Sequence, residues 1–474
     1  MAKLSATTKT SFICQQCGWS GPRWQGQCGG CGAWNTLVEE TQSPVSAQRA
    51  TSAQSIKLAQ INPLQNQQNR ISTQIGELDR VLGGEKVFGI LPGAVMLVGG
   101  SPGVGKSTLM TQVVLNLLTH PNYKNAAANK ILYVAGEESP EQISLRIKRI
   151  NSIEQYNIKP GKSEFSQVGW AENLIFLPSH DIEQIISSII KFKPNLVVID
   201  SIQTITTAEL SGGAGSIGQV RECADRLTNV AKQYNIPLFL IGHITKDGKL
   251  AGPMVLEHIV DVVLEMTGES QSQLRLIRTK KNRFGSTDEV GVLQMTEKGL
   301  IEIKDPSLFF LDGADHAAIG AAGSCVVEGS RPLLVEVQAL VVSSKLAVPR
   351  RIARGVSNTK LQLICAVLEK HCRLPLGGYD VYCSLAGGLS SADPGLDLAI
   401  AGAIASSYFN RALKPKLQLV GEISLLGEVR PAGLMQKRIK EAQRLKLEPI
   451  FKKEVFRHSL VAVLNQLGLS KTSK

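Results

Sequence analysis

The chain has 474 residues, more than one hydrophobic core usually organises, so two or three domains are expected. Its 43% hydrophobic and 19% charged residues fit a globular protein; no run of about 20 apolar residues is present, and the start MAKLSATTKT lacks an apolar signal core. A spanning helix and a secretory signal are thereby argued against, and the chain is expected in the cytoplasm with no membrane partner. Lysine and arginine exceed the acids by 52 to 40, a net +12 that is compatible with a polyanionic partner without establishing one.

Nine cysteines are unevenly spread. Those at 223, 325, 365, 372 and 383 are scattered in apolar or mixed contexts, as small core residues are. The pairs Cys14-Gln-Gln-Cys17 and Cys28-Gly-Gly-Cys31 stand apart, within a compact stretch over 11–35. Two CxxC knuckles present four thiolates to a tetrahedral Zn²⁺, and Gly18 and Gly32 follow the pairs where a turn benefits from positive φ. A redox dithiol needs one CxxC beside a strand–helix unit, and a cytosolic chain disfavours disulfides. A module this small hardly folds without its metal, so the zinc is expected to be structural. The polar, Gln/Ser/Ala-rich stretch that follows reads as a linker, placed at 36–69.

From 70 to 300, strand-like runs such as VMLVGG, ILYVAG, LVVID and PLFLIG alternate with helical patterns. That order predicts an α/β core with a parallel-rich sheet covered on both faces. Gly100-Ser101-Pro102-Gly103-Val104-Gly105-Lys106-Ser107 matches the phosphate-binding loop, with an apolar strand before it and an amphipathic helix after it. The glycines let backbone N–H groups wrap phosphate oxygens at a helix N-terminus. Lys106 is expected to reach the β/γ-phosphates of ATP, and Ser107 to ligate Mg²⁺ with Thr108 beside it. Asp200, ending LVVID, is expected as the second Mg²⁺ contact. Glu137 or its neighbour Glu138, at the tip of ILYVAGEES, is a candidate base for the attacking water, with Glu137 preferred. His243, ending the fourth strand, is a candidate γ-phosphate sensor, although a lone histidine is commonly structural.

This succession of a phosphate loop and strands ending in Glu, Asp and a polar residue resembles the RecA/DnaB-type ATPase core. More closely, ISTQIGELDRVLGG, GGSPGVGKST, YVAGEES, VVIDSIQT, GHITKDG and KNRFG resemble the bacterial RadA (Sms) family over essentially the whole chain. The resemblance implies a DNA-dependent ATPase in homologous-recombination repair. It would be a ring-forming motor, a hexamer, on single-stranded DNA that promotes branch migration and meets branched DNA and the RecA recombinase as partners. It also places strand contacts on the flexible 211–218 loop and on Lys246 and Lys249. These contacts are expected to be to phosphates, because neither loop has an aromatic side chain for stacking. In KNRFG, Lys281 and Arg283 would meet a neighbour's γ-phosphate as an arginine finger does, Phe284 and Gly285 would shape the turn, and Lys280 is left open to DNA.

Residues 306–474 resemble the proteolytic domain of the Lon protease, in VEVQALVV, GGLSSADPGLDLAIAGAIAS and LVGEISLLGEVRPAG. That fold needs a serine activated by a lysine. Here the nucleophile slot in Asp393-Pro394-Gly395 holds glycine, and the lysine slot falls at or near Gln436, one position from Lys437. Ser390 and Ser391 lie close by as displaced alternatives. The expectation is an α+β scaffold without peptidase activity that serves ring assembly and duplex binding, with Lys345, Arg350, Arg351 and Arg354 as a basic cluster. Two other readings are an ATP-dependent protease and an ATP-switched DNA-binding module without motor activity.

Overall fold

The structure, a computed structural model, describes residues 9–14, 19–42, 69–84, 87–119, 130–151, 170–243, 253–268, 273–311, 318–449 and 459–470. The chain divides into two units. One runs to Thr287 and takes in Gly291–Glu302; the other holds Asp288–Val290 and everything from Ile303.

At the N-terminus, β1 (Lys9–Cys14) pairs antiparallel with β2 (Ser20–Gly21) on one side and β3 (Leu37–Gln42) on the other. The third strand lies where a linker is expected from the polar composition. Cys14 pairs with Leu37, and this pairing draws Leu37 into a small core with Cys28, Phe12 and Trp19. The Trp19 side chain fills the space over two turns: a Cβ on Gly30 would lie 2.8 Å from the Trp19 Cβ, and one on Gly21 2.7 Å from its ring. The remainder of the linker, 43–68, lies outside the described residues.

The larger α/β region follows as α1 (Gly76–Leu82), β4 (Val95–Gly100), α2 (Lys106–Thr119), β5 (Ile131–Ala135), α3 (Pro140–Asn151), β6 (Leu174–Leu177), α4 (Ile182–Phe192), β7 (Leu196–Asp200) and α5 (Ile217–Tyr234). It continues through β8 (Leu238–His243), α6 (Pro253–Ile259), β9 (Val262–Thr267), β10 (Leu274–Asn282), β11 (Val290–Thr296) and β12 (Gly299–Glu302). The sheet order is β12-β11-β10-β9-β4-β8-β7-β5-β6. From β9 to β6 the strands are parallel, and β10 returns antiparallel beside β9. The parallel strands are apolar except toward their C-terminal ends, because both faces are covered. Their period of two divides them: Met96, Val98, Tyr133 and Val198 enter one core with α2, while Val95, Leu97, Leu132, Val197 and Ile199 enter the other with α4 and α5. Consecutive strand ends therefore converge at one edge, where β4, β5, β7 and β8 deliver Gly100, Ala135, Asp200 and His243.

The second unit contains α7 (Pro306–Leu311), β13 (Ala321–Glu328), β14 (Arg331–Ser343), β15 (Arg351–Arg354), α8 (Asn358–Cys372), β16 (Tyr379–Leu385), α9 (Asp397–Phe409) and β17 (Leu417–Gln418). After these come β18 (Glu422–Ile423), β19 (Val429–Arg430), α10 (Met435–Arg444), β20 (Glu448–Pro449) and α11 (Leu460–Gln466). Its six-stranded sheet runs β15-β16-β14-β13-β17-β20, with β18 and β19 as a separate hairpin. Helix α9 is apolar all round and buried at every residue from Asp397 to Ser406, as a central helix must be. Among the described residues no helix is long and apolar enough to cross a membrane.

Candidate functional site

The phosphate loop turns sharply from β4 into α2, with Gly103 at φ 77° and Gly105 at φ 112°, where any side chain would be strained. Space is short as well: a Cβ on Gly105 would lie 2.5 Å from Met295 Cε. Ser101, Pro102 and Gly103 are exposed, whereas Val104 is buried. The Val104 carbonyl accepts 2.9 Å from Nε of the buried Arg275 on β10, so the returning strand holds the loop from below.

Lys106 is only 4% exposed, and its Nζ donates to the carbonyls of Gly100 at 2.8 Å and Ser101 at 3.0 Å. Burial pulls its pKa down, and the nearby Asp200 and Glu137 carboxylates push back. Asp200 is itself buried, which raises its pKa against the opposing hydrogen bonds of Ser107 and Tyr133. The Tyr133 hydroxyl donates to Asp200 Oδ2 at 2.9 Å. Thr108 sits half-buried in the first turn of α2. The Asp200–Ser201 peptide is cis.

The two adjacent glutamates have different surroundings. Glu138 forms an ion pair with Arg146 on α3. Glu137 faces the phosphate-loop lysine: its Oε1 accepts from the Ser201 hydroxyl and lies 3.2 Å from His243 Nε2, and His243 Nδ1 in turn is 3.4 Å from Lys106 Nζ. Lys106, His243, Glu137 and Ser201 thus form one chain of contacts at the strand tips. Tyr133 and Ser201 join this site from within YVAGEES and VVIDSIQT, and Arg146 and Arg275 from outside any motif.

The KNRFG run lies at the other end of the sheet. Asn282 on β10 is level with Val262 on β9, which is level with Met96 near the start of β4, whereas the phosphate loop begins at Gly100. Four strand residues at about 3.3 Å each separate the two levels, roughly 13 Å along the sheet. Lys281 Nζ donates to the Glu257 carbonyl and, at 2.9 Å, to the Val260 carbonyl, closing the C-terminal end of α6. Arg283 Nη1 meets Asp261 Oδ1 at 3.1 Å, and the arginine side chain is 48% exposed. Lys280 pairs with Glu265 at 3.0 Å. The Asn282 side chain bridges the turn, donating to Leu82 O at 3.2 Å and accepting from Phe284 N at 2.9 Å. Arg70 adds a bond to Phe284 O at 3.1 Å.

In the N-terminal module the sulfurs of Cys14, Cys28 and Cys31 lie within 4.8 Å of one another. Cys14 Sγ and Cys31 Sγ are 3.7 Å apart, far beyond a disulfide bond. Tetrahedral Zn–S bonds of about 2.3 Å set sulfurs about 3.8 Å apart, so the residues fit zinc. The amide of Gly30 points at Cys28 Sγ at 3.3 Å, an orientation that stabilises a thiolate. Cys17 lies outside the described residues, as do Lys246 and Lys249. The base of the other expected DNA loop is tied down by the buried Gln219, whose side chain bonds both backbone groups of Thr207, at 2.8 and 3.0 Å, while 211–215 are exposed.

The slot beside Gly395 in the second unit is filled by a residue other than the one expected. Neither Gln436 nor Lys437 reaches it; Lys437 Nζ donates to Ser330 O at 3.1 Å instead. Arg438 points inward, so that a Cβ on Gly395 would lie 2.8 Å from its Nη1. The one-position register of α10 is the cause: Arg438 is on the buried face of that helix with Ala442. Arg438 pairs with Asp393 at 2.8 Å, and Lys360 pairs with Asp397 at 2.7 Å. Ser391 is buried, with its hydroxyl accepting from Asp393 N at 3.3 Å, and Ser390 is exposed. In the basic cluster Arg350 is exposed. Arg351 is turned inward onto the carbonyls of Leu376 at 2.7 Å and Arg350 at 3.1 Å, and onto that of Tyr379.

The AAA domain family matches residues 66–249, and the rubredoxin metal binding domain family matches residues 12–39. A DNA repair protein RadA of Bacillus subtilis strain 168 is 41% identical over 446 residues, covering 93% of this chain and 91% of the relative. One from Rickettsia bellii is 42% identical over 465 residues, 97% of each chain, and one from Pseudomonas aeruginosa is 42% identical over 92% of this chain and 91% of its own. The crystal structure of the RadB recombinase is similar over 49% of this chain and 99% of its own, at 23% identity and a TM-score of 0.36.

Proposed function

The chain belongs to the RadA family of DNA repair proteins, and from that premise we propose a DNA-dependent ATPase that assembles into a ring on single-stranded DNA. The ring is a hexamer in the cytoplasm that drives branch migration of recombination intermediates, with branched DNA and the RecA recombinase as partners. The observation behind this reading is the separation of the phosphate loop from KNRFG by the length of the sheet. A subunit's Arg283 is at the wrong end for its own nucleotide, so the site needs a second copy of the chain to supply it.

Within one subunit the roles divide by contact. Lys106 exchanges its carbonyl partners for the β- and γ-phosphate oxygens of ATP. Ser107 and Asp200 hold Mg²⁺, which when bound neutralises phosphate charge. Glu137 takes a proton from the water that attacks the γ-phosphorus, while Glu138 stays with Arg146. His243, touching both Lys106 and Glu137, reports whether the γ-phosphate is present. Arg283 leaves Asp261 to meet the neighbour's γ-phosphate, and Lys281 holds the end of α6 in register. Zinc on Cys14, Cys17, Cys28 and Cys31 folds the N-terminal module. Lys246, Lys249, Lys280 and Arg350 meet DNA phosphates, with Arg351 bracing the start of β15 next to Arg350. The C-terminal domain serves assembly and duplex binding without peptidase activity, because glycine replaces the nucleophile and Arg438 fills the slot beside it.

The test is the rate of phosphate release with and without single-stranded DNA, alongside the mass of the nucleotide-bound particle. Stimulation and a six-fold mass are expected. A persistent monomer with a DNA-indifferent rate sinks the reading.

A further inference from the structure

Ser201 is completely buried, but its hydroxyl does not close on a backbone carbonyl as buried serines commonly do. It donates to Oε1 of Glu137, a side chain that is 42% exposed at the mouth of the site. The serine itself cannot drift. Its carbonyl accepts from Thr204 Oγ1 at 2.8 Å and from Thr204 N at 3.2 Å, and the preceding Asp200 carbonyl accepts from Gly136 N at 2.8 Å. The same Oε1 lies 3.2 Å from His243 Nε2, so both contacts fall on one oxygen of the carboxylate. A carboxylate anchored through one oxygen has its plane fixed and its other oxygen directed.

We propose that Ser201 is a positioning residue for ATP hydrolysis: by anchoring Glu137 through Oε1 it directs Oε2 to the attacking water. This rests on the reading of Glu137 as the base. The proton passes from water to Oε2 as the water oxygen bonds the γ-phosphorus and the bond to the ADP oxygen breaks. Ser201 keeps its own proton throughout. A lone glutamate on a strand tip rotates among several orientations, and only some present an oxygen to the water. The hydroxyl removes that freedom at no cost during turnover, because it is already in place before nucleotide arrives.

The experiment is a double-mutant cycle on the full chain, with Ser201→Ala in the natural and Glu137→Gln backgrounds. ATP turnover and the affinity for a fluorescent ATP analogue are both measured. Ser201→Ala is expected to lower kcat about tenfold with KM and analogue affinity unchanged, and to have no further effect once Glu137 is glutamine. An unchanged kcat, an equal loss in both backgrounds, or loss of analogue binding overturns the proposal, the last by assigning Ser201 to the scaffold. Failure of the underlying reading looks different: Glu137→Gln alone would then turn over ATP at the natural rate.

Discussion

The phosphate-loop site and the slot beside Gly395 in the second unit both bury a cation among carboxylates beside a glycine, yet they are prepared for opposite ends. Lys106 rests on two neutral carbonyls, with Asp200 and Glu137 near but unpaired with it in the described ion pairs. Arg438 and Lys360 are each joined directly to a carboxylate, Asp393 and Asp397. A neutral carbonyl yields to a phosphate oxygen readily, whereas a buried carboxylate does not release its cation without leaving an uncompensated charge. A charged pocket can therefore be read for function by asking what its cation would give up on binding.

The sharpest break of that comparison is in the second unit. Asp393→Ala strands a buried guanidinium and is expected to cost about 3–5 kcal/mol in thermal or denaturant unfolding. Combining Asp393→Leu with Arg438→Met should recover the part of the loss due to the stranded charge but not the part due to Val327 N and Gly395 N, which also lose their Asp393 acceptor; a double variant as unstable as the single would mean the charge pair carries none of the loss. In the first unit, Lys106→Ala should leave folding intact and reduce phosphate release about 10²–10³-fold, roughly 2.7–4 kcal/mol of barrier. Retained turnover would remove Lys106 from the site. Glu137→Gln should cost about 100-fold in kcat with ATP still bound, while Glu138→Gln acts mainly by releasing Arg146. Equal losses from the two would erase the distinction between them.

The smallest effect concerns a half-exposed pair. Hydrogen bonding from Arg444 holds the Asp305 carboxyl below its ordinary 3.8. A carboxyl depressed in the fold contributes stability above its unfolded pKa and loses it as pH falls through the lower folded value. Arg444→Gln should thus cost about 1 kcal/mol or less near neutrality, and its melting temperature should converge with that of the natural protein in strong acid. A gap that persists in acid would point to packing instead.

Contiguous chemistry was legible in the sequence: the phosphate loop, the zinc knuckles and the strand-end carboxylates announce themselves because a few neighbouring residues carry the whole requirement. Residues brought in by tertiary contact were not. Arg275 comes to the phosphate loop from 171 positions away, and nothing local to it says so. Helix register decided the second unit, where one residue of phase on α10 substitutes Arg438 for Lys437 in the slot beside Gly395. Composition misled at 37–42, since a polar strand can pair fully when one partner strand and one buried leucine suffice. Charge density misled at Arg351, whose cluster looks like a surface but whose guanidinium is consumed by carbonyls.

The clasp of glycines around Trp19 also has an optical consequence. Trp19, Trp24 and Trp34 are three of the four tryptophans in the chain, and the latter two are 56% and 69% exposed. The fourth, Trp170, is buried in the ATPase core. Three of the four indoles thus report on the metal-binding module, one half-buried and two accessible to quencher. Iodide titration separates the exposed pair from the rest without any label, so uptake of metal or engagement of a partner by this small module is visible in the accessible emission, while the buried Trp170 stays out of the quencher's reach.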